Sequence, residues 1–327
     1  MTTETAAAGF DRRRGARPHG GDSVFRGVTL AAGGFVLLVL LAIALFLLVQ
    51  AVPALRADTG SFLRTKIWAP DASPPVFGIA ALAFGTALSS LLALVLAVPV
   101  ALAVAIFTTE YAPRRIATAV GYLTDMLAAV PSVIYGLWGL YFLVRRMAGL
   151  QRFLADHIGW IPLFADPGQM ARGPSRSIFV AAVILAIMIL PIISAISREV
   201  LRQVDPDQRE AALALGATKW EMIRTAVLPP SRGGLVSAVM LGLGRALGET
   251  IAVALVLSAG FGISFHILQP AGNTIAANIA TTFGESGITG RSALIASGLV
   301  LFAITLVVNL AARAVIYRSG RTERAAV

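Results

Sequence analysis

Two charged residues, Arg245 and Glu249, lie four positions apart in an apolar stretch that covers residues 234–259. A charge near the centre of a bilayer costs about 2.5–3.5 kcal/mol on insertion scales, so such a residue normally faces protein or a water-filled path. A guanidinium binds the oxygen atoms of an oxyanion through paired, charge-assisted hydrogen bonds. The sequence therefore predicts that an anion meets Arg245 inside the membrane.

The alternative interpretation is an ion pair within one helix, because residues four apart lie one turn apart on the same face. Such a pair of Arg245 and Glu249 would stabilise a contact between two helices. Within the first interpretation, Glu249 pairs with Arg245 when the path is empty and competes with the departing anion. Transport needs such competition, because a bound ion must also be able to leave.

Three glycines accompany this arginine in the same stretch: Gly242, Gly244 and Gly248. Small residues four positions apart, as Gly244 and Gly248 are, allow two membrane helices to approach closely. The spacing predicts that this segment packs against another helix.

The composition is that of an integral membrane protein. Of the 327 residues, 57% are apolar and 13% are charged, and the mean hydropathy is +0.80. Soluble domains carry about 25% charged residues. The chain has no cysteine, which excludes disulfides and thiol chemistry. Its histidines, His19, His157 and His266, have no carboxylate or cysteine at ligand spacing, so we expect no metal site.

Six apolar segments are long enough to cross a bilayer, for which about 20 residues suffice. We therefore predict an all-α integral membrane fold with six transmembrane helices and both termini on one side. If that side is the cytoplasm, the inner segments hold 17 lysines and arginines and the outer segments hold 9. This excess of positive charge favours cytoplasmic termini. The predicted spans are 28–52, 76–107, 116–144, 178–197, 234–259 and 292–312.

These spans divide the chain into three parts. Residues 1–27 form a basic cytoplasmic N-terminus, which we expect to be disordered. Residues 28–317 form the transmembrane domain, including a cytoplasmic loop at 198–233, and residues 318–327 form a cytoplasmic tail. The net charge of +10 does not require nucleic acid as a partner, because most basic residues border apolar segments and set the orientation there. We expect the lipid bilayer as the partner of these basic residues.

The sequence of the 198–233 loop predicts two short helices. Asp205 caps the first helix and Gly216 ends it. Thr218 and Glu221 have the spacing of a capping box at the start of the second helix, which the Leu-Pro-Pro run at 228–230 ends. Two helices joined at a glycine form a protruding surface that a partner protein can bind.

Six residues of this loop form a recognisable pattern: Glu210, Ala211, Ala212, Gly216, Leu228 and Pro229. At these positions the loop resembles the EAA loop of permease subunits in bacterial ABC importers. The sequence departs from that pattern at Ala226, where the family usually has isoleucine. The resemblance implies that the loop docks into a cytoplasmic ATPase subunit and transmits its motion. The only lysines, Lys66 and Lys219, do not belong to a phosphate-binding Walker sequence, so we expect ATP and Mg²⁺ to be bound by that partner and no cofactor in this chain.

Three further stretches carry a more specific resemblance: residues 127–140, 242–258 and 270–285. They resemble the phosphate-specific permeases of the PstC type. The resemblance implies a permease subunit with the MetI-like fold of type I ABC importers, located in the bacterial plasma membrane. It also implies that inorganic phosphate moves along a path formed by Arg245, Glu249 and Thr250.

The same resemblance implies three kinds of protein partner. A second, PstA-like permease subunit would pack against Gly242, Gly244 and Gly248. Two PstB-like ATPase subunits would bind the 198–233 loop, and an outer PstS-like protein would deliver phosphate. The chain itself would be a non-catalytic permease subunit and not an enzyme.

The sequence leaves two alternatives open. The substrate could be another oxyanion, such as molybdate or sulfate, which competition in a transport assay would distinguish. The chain could instead be an ion-coupled carrier or an intramembrane enzyme that uses Arg245, Glu249 and Asp125, and such a protein would need no ATPase partner. For Asp125, inside the third predicted span, we favour contact with interfacial water or a backbone donor over pairing with an arginine.

Overall fold

The described part of the chain is mostly helical. The computed structural model describes residues 20–165, 176–270 and 272–324, so most of the predicted N-terminal tail lies outside it. The first helix begins at Gly20, within the segment 1–27 for which the sequence predicts disorder. The helices are α1 (Gly20–Ala57), α2 (Ala80–Ile106), α3 (Arg114–Ala129), α4 (Ser132–Trp138), α5 (Val144–Ile158), α6 (Ile178–Arg202), α7 (Pro206–Ala214), α8 (Lys219–Met222), α9 (Leu228–Gly248), α10 (Ile251–Val256), α11 (Ile275–Thr282) and α12 (Ile288–Arg324).

The chain forms two units, Met1–Phe46 and Leu47–Val327. In the described part of the first unit, the apolar side chains of α1 are largely exposed, as those of Phe35 and Leu41 show. A helix that is apolar on all sides is typical of a membrane span. All elements from α2 onward belong to the second unit.

Five helical segments in the described residues are long and apolar enough to cross a membrane, and a bent helix pair makes a sixth if it counts as one span. The bent pair, Arg114–Ala129 with Ser132–Ile158, turns by 91°. The predicted span at 116–144 is therefore not one straight helix. The five unbent spans are Val24–Ala57, Ala80–Tyr111, Ile178–Arg202, Lys219–Gly248 and Ile288–Ala314.

Pro131 explains the bend in the third span. Proline has no N–H, so the carbonyl of Leu127, four residues earlier, loses its helical donor. The phenol of Tyr135 donates to this carbonyl at 2.8 Å. The freed backbone group is thus satisfied inside the protein, as a membrane environment requires.

Helix α6 lies at the centre of the core and packs most extensively against α2. One face of α2 carries alanines at every fourth position, Ala93, Ala97 and Ala101, and each is completely buried. They pack in one cluster with Ile189 and Ile193 of α6. Small residues at this spacing let the two helices approach closely, which compensates for the weak hydrophobic driving force between helices in lipid.

A short hairpin joins the predicted outer end of α1 to α2. Strands β1 (Trp68–Ala69) and β2 (Val76–Phe77) pair in antiparallel register. Between them, the carboxylate of Asp71 accepts the backbone N–H groups of Gly287 and Gly290 at 3.0 and 2.9 Å. These groups belong to the start of α12, where the first N–H groups lack helical partners. In a chain without cysteine, hydrogen bonds of this kind stabilise the connection between distant segments.

Candidate functional site

Arg245 lies in the last turn of α9 and lines a cavity of about 650 Å³. The side chain is exposed to this space, so it is not sealed in a dry contact within its own chain. Helices α6, α9 and α12 form the walls. The lining includes Ile192, Ser237, Gly244, Arg245, Asn309 and Arg313.

The cavity carries a strong positive charge. Arg245 and Arg313 both line it, and none of its described lining residues is acidic. Within the described parts of the chain, the ion pairs are Arg198 with Asp125 and Arg209 with Glu110, so neither cavity arginine takes part in one. Two guanidinium groups on a cavity whose described lining has no acidic residue favour the binding of an anion there.

Glu249 does not pair with Arg245, which corrects the predicted ion pair. Helix α9 ends at Gly248, and Glu249 has extended backbone angles, φ −68° and ψ 128°. The two residues therefore do not share a helix face. Glu249 is buried, with 8% of its surface exposed, and its carboxylate accepts the backbone N–H of Ala252 at 3.3 Å. This contact satisfies a free N–H at the start of α10, where negative charge is also favoured by the helix dipole.

Thr250 occupies the break between the two helices. Its hydroxyl donates to the carbonyl of Gly248 at 3.1 Å, a backbone group that the end of α9 leaves without a helical partner. The predicted fifth span at 234–259 is therefore two helices, α9 and α10, with an irregular segment between them. Such segments occur at membrane depth only where protein or water surrounds them.

The three predicted packing glycines have different surroundings. Gly242 is buried against α6, where a Cβ atom would come within 2.6 Å of the Ile193 side chain. Its close contact is therefore inside this chain. Gly244 and Gly248 are exposed, and a Cβ atom at either position would have no neighbour within 4 Å. Their packing against a second subunit stays a prediction.

The two broken spans meet beside their breaks. Tyr135 of α4 and Ala252 of α10 are buried in one apolar cluster. The short helices α4 and α10, which follow the two breaks, therefore pack side by side.

Arg176 fixes the far end of α10. Its guanidinium donates to the carbonyl of Leu255 at 2.6 Å, and its own carbonyl accepts the Ser258 hydroxyl at 3.3 Å. A cation near the C-terminus of a helix is favourable because the last carbonyls there lack N–H partners. Sequence analysis did not predict this contact, because Arg176 and Leu255 are 79 positions apart.

The 198–233 loop forms the predicted pair of short helices. The Asp205 side chain accepts the N–H of Asp207 at the start of α7. Gly216 has a φ of +87°, a conformation that glycine adopts at no steric cost after a helix. Thr218 and Glu221 form the predicted capping box.

The end of the second short helix differs from the prediction. The Leu-Pro-Pro run at 228–230 does not stop the helix. A π-helical turn, Ile223–Val227, connects α8 to α9, and proline lies in the first turn of α9. Proline is tolerated there because the first N–H groups of a helix have no partner to lose. The loop is thus joined rigidly to the helix that carries Arg245.

Two cationic contacts attach this loop to the end of α2. Arg209 of α7 pairs with Glu110 at 3.3 Å and also donates to the carbonyls of Leu201 and Val204. The Glu110 side chain is only 6% exposed. On the other short helix, the Lys219 ammonium lies 5.0 Å from the ring centre of Tyr111. Both helices of the loop therefore contact the same π-helical turn, Phe107–Tyr111.

The EAA-type residues fall on two faces of the loop. Ala212 and Leu228 pack on the cluster that joins the loop to α2, α6 and α9. Glu210, Ala211 and Gly216 are exposed, and Pro229 is half-buried near the start of α9. The exposed face also presents the large apolar side chains Leu213, Leu215 and Trp220.

Asp125 pairs with Arg198 of α6, so the favoured interpretation of this residue was wrong. The guanidinium donates to the Asp125 carboxylate at 3.0 Å and to the Thr124 hydroxyl at 3.2 Å. Arg198 is only 9% exposed. The pair fixes α3 against α6 within this chain and lies outside the cavity that contains Arg245.

The sequence matches a known family over most of its length. Residues 97–320 match the family described as the binding-protein-dependent transport system inner membrane component. The chain belongs to this family. It is 46% identical over 317 residues, 96% of each chain, to the phosphate transport system permease protein PstC 2 of Mycobacterium bovis and of Mycobacterium tuberculosis.

A second member of this group is the phosphate transport system permease protein PstC of Xylella fastidiosa Temecula1. It is 42% identical over 323 residues, 98% of this chain and 97% of the relative. The predicted resemblance to PstC-type permeases is confirmed. As a member of a transport family with several apolar spans, the chain is a multi-pass membrane protein.

A solved structure supports the fold assignment. A chain of a bacterial ABC transporter involved in the import of the acidic polysaccharide alginate aligns with a TM-score of 0.52 and 18% identity. The alignment covers 73% of this chain and 79% of the other. This similarity concerns the helical fold of ABC importers alone.

In the described residues, no group of histidine, aspartate or glutamate side chains is arranged to hold a metal ion.

Proposed function

We propose that this chain is the transmembrane permease subunit of an ATP-driven importer that moves inorganic phosphate into the cytoplasm. The observation that carries this proposal is the 46% identity, over 96% of both chains, with a phosphate transport permease. The positively charged cavity beside the two broken spans supports the choice of an anion as substrate.

Arg245 is the residue to which we assign phosphate recognition. Its planar guanidinium can bind two phosphate oxygens at once. It lines a cavity large enough for a hydrated anion and has no acidic partner in the described structure. Thr250, at the helix break, would border the same path. Glu249 would act indirectly, by holding the start of α10.

The ATPase subunits would bind the 198–233 loop. The exposed residues Glu210, Ala211 and Gly216 would face the ATPase, together with the apolar side chains of Leu215 and Trp220. An apolar group exposed on a polar surface favours burial against a partner. Movement of the loop would reach Arg245 through α9, because α8, the π-helical turn and α9 are continuous.

The remaining parts of the proposal concern the assembly. ATP and Mg²⁺ would be bound by two separate PstB-like subunits, and no cofactor would be bound by this chain. A PstA-like permease would cover Gly244 and Gly248, and a PstS-like protein would deliver phosphate from outside. The complex would lie in the bacterial plasma membrane with both termini of this chain in the cytoplasm, as its distribution of basic residues favours.

The test is phosphate uptake by the assembled complex. The chain is purified together with its PstA-like permease and PstB-like ATPase partners and placed in lipid vesicles with the phosphate-binding protein. We expect radiolabelled phosphate uptake that requires ATP and is not competed by sulfate or molybdate. Uptake without a nucleotide-binding subunit, or equal competition by molybdate, would contradict the proposal.

Arg245→Gln tests the recognition residue in the same assay. Glutamine keeps two hydrogen-bonding groups but loses the charge, so we expect uptake to fall by at least about tenfold, the effect of losing a hydrogen bond to a charged group. Arg245→Lys keeps the charge without the paired donors and should give an intermediate rate. Normal phosphate uptake by Arg245→Gln at low phosphate would show that Arg245 does not take part in phosphate recognition.

A further inference from the structure

The cavity that contains Arg245 has a second arginine, Arg313, which directly follows the predicted last span at 292–312. Arg313 and Asn309 lie four residues apart on α12 and both line this cavity. Residues at this spacing share one helix face. The cavity therefore presents two guanidinium groups and one amide from two helices that face each other.

The two arginines lie at different depths. Arg313 is next to the end of the span Ile288–Ala314, on the side where α12 approaches the C-terminus. Arg245 lies 17 residues after Leu228, or about 26 Å along α9 from the 198–233 loop at 1.5 Å per residue. Since both termini and this loop are assigned to one side, Arg313 is nearer than Arg245 to the predicted cytoplasm.

We propose that Arg313, with Asn309, forms a second binding step for a phosphate oxyanion, between Arg245 and the cytoplasmic mouth of the cavity. The inference rests on the proposed function and adds a residue to it. A phosphate group has enough oxygens to accept hydrogen bonds from both arginines in turn. A second positive site on the exit side lowers the barrier to leaving Arg245, and several weak sites in series allow faster passage than one strong site.

Two kinds of phosphate group can bind at this site. A transported phosphate ion can bind there, and so can the headgroup of an anionic lipid, because an arginine at the end of a span reaches the membrane interface. The described lining residues include no acid that could occupy either arginine instead. The experiment must therefore vary both free phosphate and the lipid.

The experiment measures inhibition of uptake by phosphate on the ATPase side. The complete transporter is placed in vesicles of phosphatidylcholine alone or of phosphatidylcholine with phosphatidylglycerol. Uptake of labelled phosphate is followed while unlabelled phosphate is raised on the ATPase side, where it can occupy the exit site. Arg115→Gln is the matched control, since Arg115 is an exposed arginine in the first turn of α3 and outside the cavity.

In the wild type, phosphate on the ATPase side should slow uptake. In Arg313→Gln, half-inhibition should need about tenfold more phosphate in both lipid mixtures, because one hydrogen bond to a charged group is lost. A change confined to vesicles with phosphatidylglycerol would assign the site to a lipid headgroup and would overturn its role as a binding step on the phosphate path. If Arg313→Gln matches the wild type and Arg115→Gln in both mixtures, the proposal is overturned.

A second variant keeps the test decisive if Arg313→Gln does not assemble with its partners. Arg313→Lys retains the charge but not the planar pair of donors, so half-inhibition should need about threefold more phosphate than in the wild type. A wild-type inhibition curve for Arg313→Lys would then overturn the proposal. Failure of the proposed function would be seen separately, as absence of ATP-dependent phosphate uptake by the wild-type complex itself.

Discussion

At the residue scale, two charges four positions apart have different surroundings and therefore different roles. Arg245 lines the cavity, whereas the Glu249 carboxylate is buried and accepts the N–H of Ala252. The sequence treats them as partners because an unbroken helix would place them on one face. The extended backbone at Glu249 separates them. Its contact with α10 suggests that the carboxylate keeps the helix break in one conformation.

Substitutions at Glu249 can distinguish a role of its negative charge from its role as a hydrogen-bond acceptor at the start of α10. Glu249→Gln retains a side-chain oxygen that can accept the N–H of Ala252, so we expect most phosphate uptake to remain. Glu249→Ala removes the acceptor and should destabilise the start of α10 by about 0.5–2 kcal/mol, as for other helix caps. Uptake by both variants is measured in the same vesicles. If Glu249→Gln reduces phosphate uptake as much as Glu249→Ala does, the negative charge is required, and the hydrogen bond to Ala252 does not by itself explain the role of Glu249.

At the element scale, helices that are interrupted bring the site together. Pro131 bends the third span, and the irregular segment at Glu249–Thr250 divides the fifth. The two short helices that follow these breaks pack together, with Tyr135 and Ala252 in one cluster. Continuous helices would instead present uniform apolar surfaces, so the breaks are what place polar backbone at this depth.

The contact of Arg209 with Glu110 should transmit motion between the 198–233 loop and α2. Glu110→Ala leaves the partly buried Arg209 without its carboxylate partner and should weaken this attachment by about 1–3 kcal/mol. We expect the amount of phosphate moved per ATP hydrolysed to fall, while the assembled complex keeps its basal ATPase activity. Both rates are measured on the same vesicles.

The matched control is Arg224→Ala, because Arg224 is an exposed cation in the same loop region that does not contact Glu110. It should leave the ratio of transport to hydrolysis unchanged. A wild-type ratio in Glu110→Ala would show that the ion pair only stabilises the loop.

At the scale of the whole molecule, the distribution of basic residues and the number of spans together predict the orientation. Five spans and a bent pair are present in the described residues, and an even count requires the pair to cross the membrane. If the pair instead returned to the side from which it entered, every later segment would change sides. The orientation of the 198–233 loop relative to the Asp71 hairpin therefore tests the span count.

Single cysteines can report this orientation, because the chain has none of its own. Ala72→Cys lies in the exposed outer hairpin segment and Ala214→Cys in the exposed face of the 198–233 loop. We expect a membrane-impermeant maleimide to label Ala72→Cys in intact cells. Ala214→Cys should react only after the membrane is permeabilised. Labelling of both positions in intact cells would show that the span count is wrong.

Local sequence patterns were sufficient for the membrane class, the approximate positions of the spans and the caps of the 198–233 loop. Each of these depends on neighbouring residues alone: continuous apolar runs, the Thr218–Glu221 spacing, and Gly216 after a helix. The EAA-type and PstC-type stretches likewise identified the family from the sequence alone. The sequence singled out Arg245 because a charge in an apolar run is costly wherever that run folds, and its role in binding an anion stays a prediction.

Only the tertiary structure decided which charges meet. Arg198 with Asp125, Arg209 with Glu110 and Arg313 with the Arg245 cavity involve residues far apart in sequence, so no local spacing marks them. The break at Glu249 also escaped sequence analysis, because the apolar residues on both sides of Gly248-Glu249-Thr250 were assigned to one continuous span, 234–259. The packing of α4 against α10 stabilises this break, and that packing exists only after the helices have assembled.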